Sequence, residues 1–192
     1  MKVMKKGNVF VLSAPSGAGK STLYKEIIKK AANIKYSISH TTRGKRKGEV
    51  NGRDYFFVSE DKFKELIGKK EFVEWAKVHD NYYGTSRSFI ERTITRGYNV
   101  ILDIDVQGAL NIKKIYPGAV LVFIMAPSFK ELKKRLVLRK KDSPEVIKRR
   151  LSNAKKEIAY IPKYDYLIVN DKLSKALEDL DSIINSQALK IQ

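Results

Sequence analysis

The stretch that decides the fold is Ala14-Pro15-Ser16-Gly17-Ala18-Gly19-Lys20-Ser21. It follows a mostly apolar run, residues 8–13, that predicts a buried strand, and it leads into residues 20–32, where apolar side chains recur at helical spacing. This is the pattern of a phosphate-binding loop, except that Ala14 stands where glycine is usual. A glycine-rich turn with an incidental lysine is the alternative, but the strand before it and the helix after it favour nucleotide binding.

The chemistry of such a loop comes from its backbone and from its last residues. Consecutive N–H groups surround a phosphate at the positive end of a helix dipole. Lys20 is then expected to reach the β- and γ-phosphates, and the Ser21 hydroxyl to ligate Mg²⁺. The predicted ATP-binding residues of the loop are Ala14, Pro15, Ser16, Gly17, Ala18, Gly19, Lys20, Ser21 and Thr22.

A carboxylate at the end of a second apolar run agrees with this interpretation. Residues 99–103 predict a buried strand that ends at Asp103. Many strands end in Asp, but beside a phosphate loop the residue is expected to face Mg²⁺, directly or through water. The predicted metal ligands are therefore Ser21 and Asp103.

Composition limits the remaining possibilities. The chain has 192 residues, which favours one domain, and no cysteine, which excludes disulfides and thiolate metal sites. No run approaches the roughly 20 apolar residues of a membrane span, and the apolar run at residues 9–12 is too short for a signal-peptide core. We therefore expect a cytoplasmic protein with no membrane partner. The net charge of +18 fits a solvated lysine-rich surface or an attraction to nucleotides or nucleic acid, and charge does not separate these.

Apolar runs alternate with helical patterns, which predicts an α/β fold with a parallel sheet. Further strands are predicted at residues 120–124 and 166–169, and a helix at about 173–186. Ser143-Pro144-Glu145 predicts the start of another helix, because a capping side chain precedes proline and an acid. The aromatic-rich stretch from about residue 36 to 95 differs, and we interpret it as a lobe inserted into the core.

Two arginines mark this insertion as the place of a second phosphate. Arg43 and Arg46 lie three residues apart in a predicted loop, so their planar guanidinium groups can hold one phosphate, and a nearby tyrosine such as Tyr55 can add a donor. A basic loop exposed to solvent or touching RNA is the alternative interpretation of this segment.

Taken together, these motifs resemble those of guanylate kinases, in order and from residue 13 to residue 171. The matching pieces are Ser13–Ser21, Ser39–Arg43, Gly48–Val50, Phe72–Glu74, Asn81–Thr85, Leu102–Asp105, Gln107-Gly108 and Val169–Asp171. The resemblance implies a P-loop NTPase core, with its parallel sheet flanked by helices, at about residues 1–35, 97–127 and 151–192. It also implies a GMP-binding lobe at about 36–96 and a short helical lid at about 128–150.

The resemblance also assigns roles. The phosphate of GMP would be bound by Arg43, Arg46, Tyr55 and Tyr83. The guanine base would be bound by Ser39, Glu74, Thr85 and Asp105. Guanine presents N1–H and N2–H₂ as adjacent donors, so a carboxylate can accept both, whereas adenine would leave that carboxylate unpaired. Without this context, Glu74 would be taken for an ordinary surface acid.

The implied lid brings arginines to the triphosphate. Arg139 and Arg150 match the family as catalytic residues and Arg135 as an ATP ligand, while Asn170 would flank the adenine. Two exposed basic helices are the alternative. Lys140 stands where relatives often have glycine.

The expected reaction is transfer of the γ-phosphoryl group of ATP, with Mg²⁺, to GMP and also to dGMP. No specific nucleic-acid partner is expected. A kinase for another monophosphate, a non-catalytic protein-binding module and an RNA-binding protein remain the alternatives. The complete loop, with Lys20, Ser21 and Asp103, argues against the second of these.

Overall fold

The computed structural model describes residues 6–78, 80–138 and 143–190. Its centre is a five-stranded parallel sheet. The strands are β1 (Val9–Ser13), β2 (Ile34–Tyr36), β7 (Asn99–Asp103), β8 (Val120–Met125) and β9 (Tyr166–Val169), in the spatial order β2-β7-β1-β8-β9. The three middle strands are almost wholly apolar and buried, as expected of a sheet covered on both faces.

Helices cover both faces of this sheet. On one face, α1 (Lys20–Lys30) and α7 (Leu173–Ala188) pack against Phe10 and Leu12 of β1. On the other face, α3 (Arg87–Thr95) and α4 (Val106–Ile115) pack against Val9 and Val11. The alternation of side chains along β1 therefore divides the core into two layers.

A second, smaller sheet lies within the chain segment between β2 and α3. It contains β3 (His40–Thr41), β4 (Phe56–Phe57), β5 (Phe72–Val78) and β6 (Asn81–Ser86), in the order β4-β3-β6-β5. Helix α2 (Glu60–Gly68) packs on it through Phe63, whose ring centre is 4.6 Å from that of Phe72. Gly84 is needed beneath these rings, because a Cβ there would lie 2.9 Å from Phe63.

The remaining helices are α5 (Phe129–Leu138) and α6 (Pro144–Ile158). The Ser143 hydroxyl caps α6 by accepting from the Val146 N–H at 3.4 Å, and Pro144 occupies the first turn, so the predicted helix start is confirmed. The helix is continuous through residue 150, where the sequence predicts the lid to end. No helix in the described part of the chain is long and apolar enough to cross a membrane.

The predicted strands are confirmed, with β8 reaching one residue further than expected. The first helix ends at Lys30, two residues before its predicted end, because Ala31 adopts an extended conformation. The carbonyl of Ala31 then accepts from the N–H of Ile34, which turns the chain into β2.

Candidate active site

The phosphate loop connects β1 to α1 and contains two glycines in a conformation that other residues rarely adopt. Gly17 has φ 96° and Gly19 has φ 95°. Gly19 also leaves room for Asn170, since a Cβ at position 19 would lie 2.3 Å from the Asn170 Nδ2 atom. That amide nitrogen donates to the Ala18 carbonyl at 2.8 Å. The shape of the loop is therefore stabilised by a residue that directly follows β9.

The charged groups of the loop meet at the carboxyl end of the parallel sheet. Lys20 Nζ lies 2.5 Å from Asp103 Oδ1, and both side chains are mostly buried. Strand pairing places them together, because Leu12 of β1 is the register partner of Asp103 on β7. Ser21 is exposed in the first turn of α1. The Lys20 ammonium therefore contacts Asp103, one of the two predicted metal ligands.

Two of the predicted lid arginines contact the loop region. Arg150 Nη1 donates to the Ser16 hydroxyl at 2.7 Å. Arg135 Nη1 donates to the Asn170 carbonyl at 2.9 Å, and its Nε donates to Glu131 at 3.0 Å. The predicted catalytic Arg139, together with Lys140, lies outside the described residues.

An open cavity of about 220 Å³ lies between the second sheet and the turn that joins β7 to α4. Six of the predicted site residues line it, among them one serine, two tyrosines and three acids. They are Ser39, Tyr55, Glu74, Tyr83, Asp103 and Asp105. The cavity therefore places the predicted guanine-binding acids within the same space as the carboxylate beside Lys20.

Glu74 lines this cavity, and its carboxylate is largely buried. Thr85, directly opposite on β6, donates its hydroxyl to Glu74 Oε1. Gly108 lets the carboxylate approach α4, since a Cβ there would lie 3.0 Å from Glu74 Oε2. Burial raises the pKa of Glu74 to about 7; the Thr85 hydrogen bond opposes this shift, and the negative charge of Asp105 adds to it. Among the residues that the structure describes, no cation is paired with this carboxylate.

Asp105 is held in place by helix capping. Its Oδ1 accepts from the Gly108 N–H at 2.8 Å, which makes it the N-cap of α4. An acid at this position is favoured by the helix dipole.

Of the predicted phosphate-binding residues, Tyr55 and Tyr83 line the cavity and Arg43 lies against the Tyr55 ring. The Arg43 guanidinium lies 5.3 Å from the centre of the Tyr55 ring, and the Tyr55 and Tyr83 ring centres are 6.0 Å apart. The Arg43 side chain is anchored by Glu49, with Nη2 2.7 Å from Oε1. Arg46 is exposed, and its backbone N–H donates to the other oxygen of Glu49 at 2.8 Å.

The sequence did not predict a role for Glu49, although this residue lies in Gly48-Glu49-Val50, one of the segments that resemble guanylate kinases. Its hydrogen bond with Arg43 lowers the pKa of the Glu49 carboxyl and raises the pKa of Arg43, so both remain charged. Glu49 lies three residues after Arg46 and six after Arg43. This spacing is the feature of the sequence that could have indicated an ion pair with one of these arginines.

This arrangement of a phosphate loop, a carboxylate-lined cavity and a second arginine group can be compared with known proteins. Residues 6–187 match the family model described as guanylate kinase. The chain belongs to the guanylate kinase family. Members of this family phosphorylate GMP with ATP, so the chain is a nucleoside-monophosphate kinase.

Relatives match along nearly the whole chain. The guanylate kinase of Pseudoalteromonas translucida (strain TAC 125) is 50% identical over 187 residues, covering 97% of this chain and 91% of the relative. That of Shewanella violacea is 52% identical over 185 residues, covering 96% of this chain and 89% of the relative. The crystal structure of guanylate kinase from Anaplasma phagocytophilum superposes with a TM-score of 0.80 at 34% identity, covering 97% of this chain and 88% of that one. The predicted fold class is confirmed by this likeness.

Proposed function

We propose that this chain transfers the γ-phosphoryl group of Mg²⁺-bound ATP to GMP in the space between the phosphate loop and the second sheet. ATP would be bound by the loop, Arg135 and Asn170, and GMP by the cavity that contains Glu74. The single observation that carries the proposal is the shared cavity, which is lined both by Glu74, the partner of Thr85, and by Asp103, the partner of Lys20.

The base specificity follows from Glu74. Its two oxygens can accept N1–H and N2–H₂ of guanine, and the Thr85 hydroxyl can donate to O6 once it turns away from Glu74. Tyr55 and Tyr83 line the same cavity, and Arg43 lies against Tyr55. These three side chains would hold the phosphate, and the exposed Arg46 would close over it. Adenine would leave the buried carboxylate without donors. We expect dGMP to be accepted as well as GMP.

The reaction needs no dedicated general base. The attacking oxygen belongs to a phosphate whose second pKa is about 6, so it is mostly ionised at neutral pH. The protein aligns the two nucleotides and neutralises charge on the transferred group, through Lys20 and the arginines of α5 and α6. Lys20 must leave Asp103 in order to reach the phosphates.

The oxygen donors near Lys20 fit Mg²⁺. Asp103 supplies a carboxylate and Ser21 a hydroxyl, and Mg²⁺ favours such hard oxygen ligands together with substrate phosphates and water. When bound, the ion neutralises charge on the β- and γ-phosphate oxygens. Both residues lie where the carboxyl end of the sheet meets the start of α1.

We further propose that two parts of the chain move when the nucleotides bind. The first is a GMP lobe at about residues 36–96, which contains the second sheet. The second is a lid at about residues 128–150, which contains α5 and the first part of α6. Closure would exclude water from the transferred group. We place the activity in the cytoplasm, with which a chain free of cysteine is compatible, and we expect no specific nucleic-acid partner.

A coupled assay of ADP release tests the proposal. The purified protein is given Mg-ATP with GMP, dGMP, AMP, UMP or CMP, and also with no acceptor. We expect rapid turnover with GMP and dGMP and little with the others. Equal rates with all acceptors, or ADP release that does not depend on an acceptor, would contradict the proposal. RNA binding driven by charge would instead appear as a gel shift that weakens steeply with salt.

A further inference from the structure

We propose that the groove between α5 and α6 is a docking surface for an acidic amphipathic helix of a partner protein. Every described residue that lines this groove belongs to one of these two helices, and the volume of the groove is about 1100 Å³. The inference goes beyond the proposed function and does not depend on it.

Much of the lining of the groove is apolar. Phe129 and Val137 of α5 contribute to it, together with Ile147 and Leu151 of α6. Phe129 is 38% exposed and Val137 is 50% exposed, so packing within the chain leaves a large part of this surface in contact with water. Contiguous apolar surface of this kind is typical of an interaction site.

Helix α5 packs on the protein through a different stripe of side chains. Leu132 and Leu136, four residues apart, are both buried. Leu136 lies against the phosphate loop, since a Cβ on Gly17 would lie 3.1 Å from Leu136 Cδ2. Phe129 and Val137 lie on the neighbouring stripe of the helix. The fold therefore accounts for the first apolar stripe of α5 but not for the second.

Four exposed lysines line the same groove. They are Lys130 and Lys133 on α5 and Lys148 and Lys155 on α6. Among the residues that the structure describes, no acid lines the groove and no acid forms an ion pair with these lysines. By contrast, the lysines within α2 and α7 pair with acids three or four residues away. The groove therefore combines apolar surface with unpaired positive charge on both of its helices.

The occupant that fits both features is a helix with an apolar stripe flanked by acidic side chains. Its stripe would cover the apolar lining, and its acids would pair with the lysines of α5 and α6. The two features lie side by side, since Lys155 Nζ is 6.0 Å from the centre of the Phe129 ring. The lining residues of α6 extend from Pro144 to Lys155, a length of about 16 Å, or three helical turns.

Three other occupants fit the groove less well. RNA would pair with the lysines, but its bases need aromatic platforms, and Phe129 is the one aromatic side chain among the described lining residues. A membrane surface needs apolar side chains that project, whereas these line a groove. A second copy would bring its own net charge of +18 toward the four lysines. Positive charge beside an aliphatic lining therefore favours an acidic protein segment.

The groove lies on the same two helices that contact the phosphate-loop region. Arg135 of α5 donates to the Asn170 carbonyl, and Arg150 of α6 donates to the Ser16 hydroxyl. Neither arginine is among the residues that line the groove. A docked helix would therefore contact both α5 and α6 and leave these two hydrogen bonds in place.

Fluorescence anisotropy of the full-length protein with a labelled peptide tests the inference. The probe has about 20 residues of leucine, alanine and glutamate, with its leucines on one helical face. A control peptide has the same composition, but its leucines are distributed around the helix. We expect the probe to bind at least about tenfold more tightly than the control peptide. Its affinity should fall as the salt concentration rises.

Charge reversal in the groove should remove this binding. The variant Lys133→Glu/Lys148→Glu replaces one lining lysine on each helix, and its affinity for the probe should fall at least about tenfold. The matched control, Lys134→Glu/Lys156→Glu, makes the same change of net charge with exposed residues of the same helices that do not line the groove. Its affinity should stay within about threefold of the wild type, because distant surface charges are screened.

The apolar part of the groove has its own test. Val137→Ser removes apolar surface without changing the net charge, and we expect it to weaken binding of the probe by about threefold. Melting temperatures show whether each variant is folded.

Four results would overturn the inference. The first is no saturable binding of the probe by the folded wild type. The second is equal affinity for the two peptides, which would indicate attraction by charge alone. The third is an equal loss of affinity in the groove variant and in its matched control. The fourth is displacement of the probe by polyuridylate RNA, by phosphatidylserine vesicles or by self-association in sedimentation, because the groove would then serve another partner.

Discussion

The two proposed nucleotide sites of this protein are built in different ways. The phosphate loop is a backbone structure of consecutive residues, held at the junction of β1 and α1 in the buried parallel sheet. The cavity proposed for GMP is lined mainly by side chains from β5, β6 and the turn before α4, which are distant in the chain. In the proposed function, the first site would depend on backbone shape and the second on the charge state of Glu74.

The two sites also differ in how their charged side chains are paired. Lys20 has a carboxylate partner in Asp103, so the loop site is internally neutralised. Glu74 is buried beside another acid, and its pKa is raised to about 7. Defects in the loop should slow transfer to every acceptor, whereas defects in the cavity should affect GMP selectively.

The largest expected effect is that of Lys20→Ala. Loss of a preorganised charge donor reduces turnover by roughly 10²–10³-fold, and we expect this for GMP and dGMP alike in protein that remains folded. The coupled assay of ADP release measures it, with Lys30→Ala at the exposed end of α1 as the control. Near-normal turnover in folded Lys20→Ala protein would remove the lysine from the mechanism.

Glu74→Gln should lower kcat/KM by nearly as much as Lys20→Ala lowers turnover, but only with acceptors that carry guanine. The amide keeps the size of the side chain and turns one acceptor into a donor that faces the donors of guanine. We expect kcat/KM for GMP to fall by about 2–4 kcal/mol in transition-state free energy, with little change in the KM for ATP. Kinetics with GMP and AMP at saturating Mg-ATP measure this. If GMP kinetics are unchanged, the guanine-reading carboxylate lies elsewhere, with Asp105 the next candidate.

Arg43→Ala and Arg46→Ala sharpen the comparison on the phosphate side of the cavity. A charge-assisted contact contributes about 1.5–3 kcal/mol, so each variant should weaken GMP by that order and leave ATP affinity nearly unchanged. Calorimetric titration with each nucleotide measures both affinities. Arg53→Ala is the matched control, because its side chain is 63% exposed on the same lobe. Equal losses for GMP and ATP would contradict the division between the two sites.

The smallest expected effect is a pH dependence of GMP affinity. Guanine donors favour the ionised carboxylate, so binding should release a proton from Glu74, whose pKa is about 7. Affinity should therefore rise by up to about tenfold between roughly pH 6 and pH 8. Titration in buffers of different ionisation enthalpy counts the released proton. Glu74→Gln should retain only the smaller dependence that comes from the GMP phosphate, and an unaltered slope in that variant would contradict the assignment.

The same pKa shift affects the stability of the free protein. The pKa of a glutamate in an unfolded chain is about 4.3, whereas the pKa of Glu74 in the native protein is about 7. The native state then binds more protons across this window, so stability should fall as pH rises from about 4.3 to about 7. Thermal melts of wild type and Glu74→Gln across this range test the sign.

Local signals in the sequence predicted most of the parallel core. The strands β7 and β9 have their predicted bounds because each is an apolar run with clear ends. The order of strands in the sheet was not predictable, since it depends on contacts such as Leu12 with Asp103, which are 91 residues apart. The two-residue strands β3 and β4 are too short to show any periodicity.

For the candidate site, the sequence supplied residues that lie in contiguous motifs, such as the phosphate loop. The roles of Glu74 and Asp105 came from the family resemblance, and these roles stay predictions. Glu49 was not given a role, because its contacts with Arg43 and with the backbone of Arg46 form only in the folded loop. The pairing of Lys20 with Asp103 was also missed, because the loop pattern describes the lysine with its nucleotide bound and not the free protein.

The hydrogen bond from Asn170 to Ala18 has a consequence for the order in which the protein is made. The loop leaves the ribosome early, but the side chain that supports its shape follows about 150 residues later, or roughly 7–30 seconds at usual translation rates. During that interval a nascent chain has a phosphate-loop sequence without its support from beyond β9. We expect ribosome-arrested chains of increasing length to bind ATP only after residue 170 has emerged. ATP binding by much shorter chains would show that the loop forms without it.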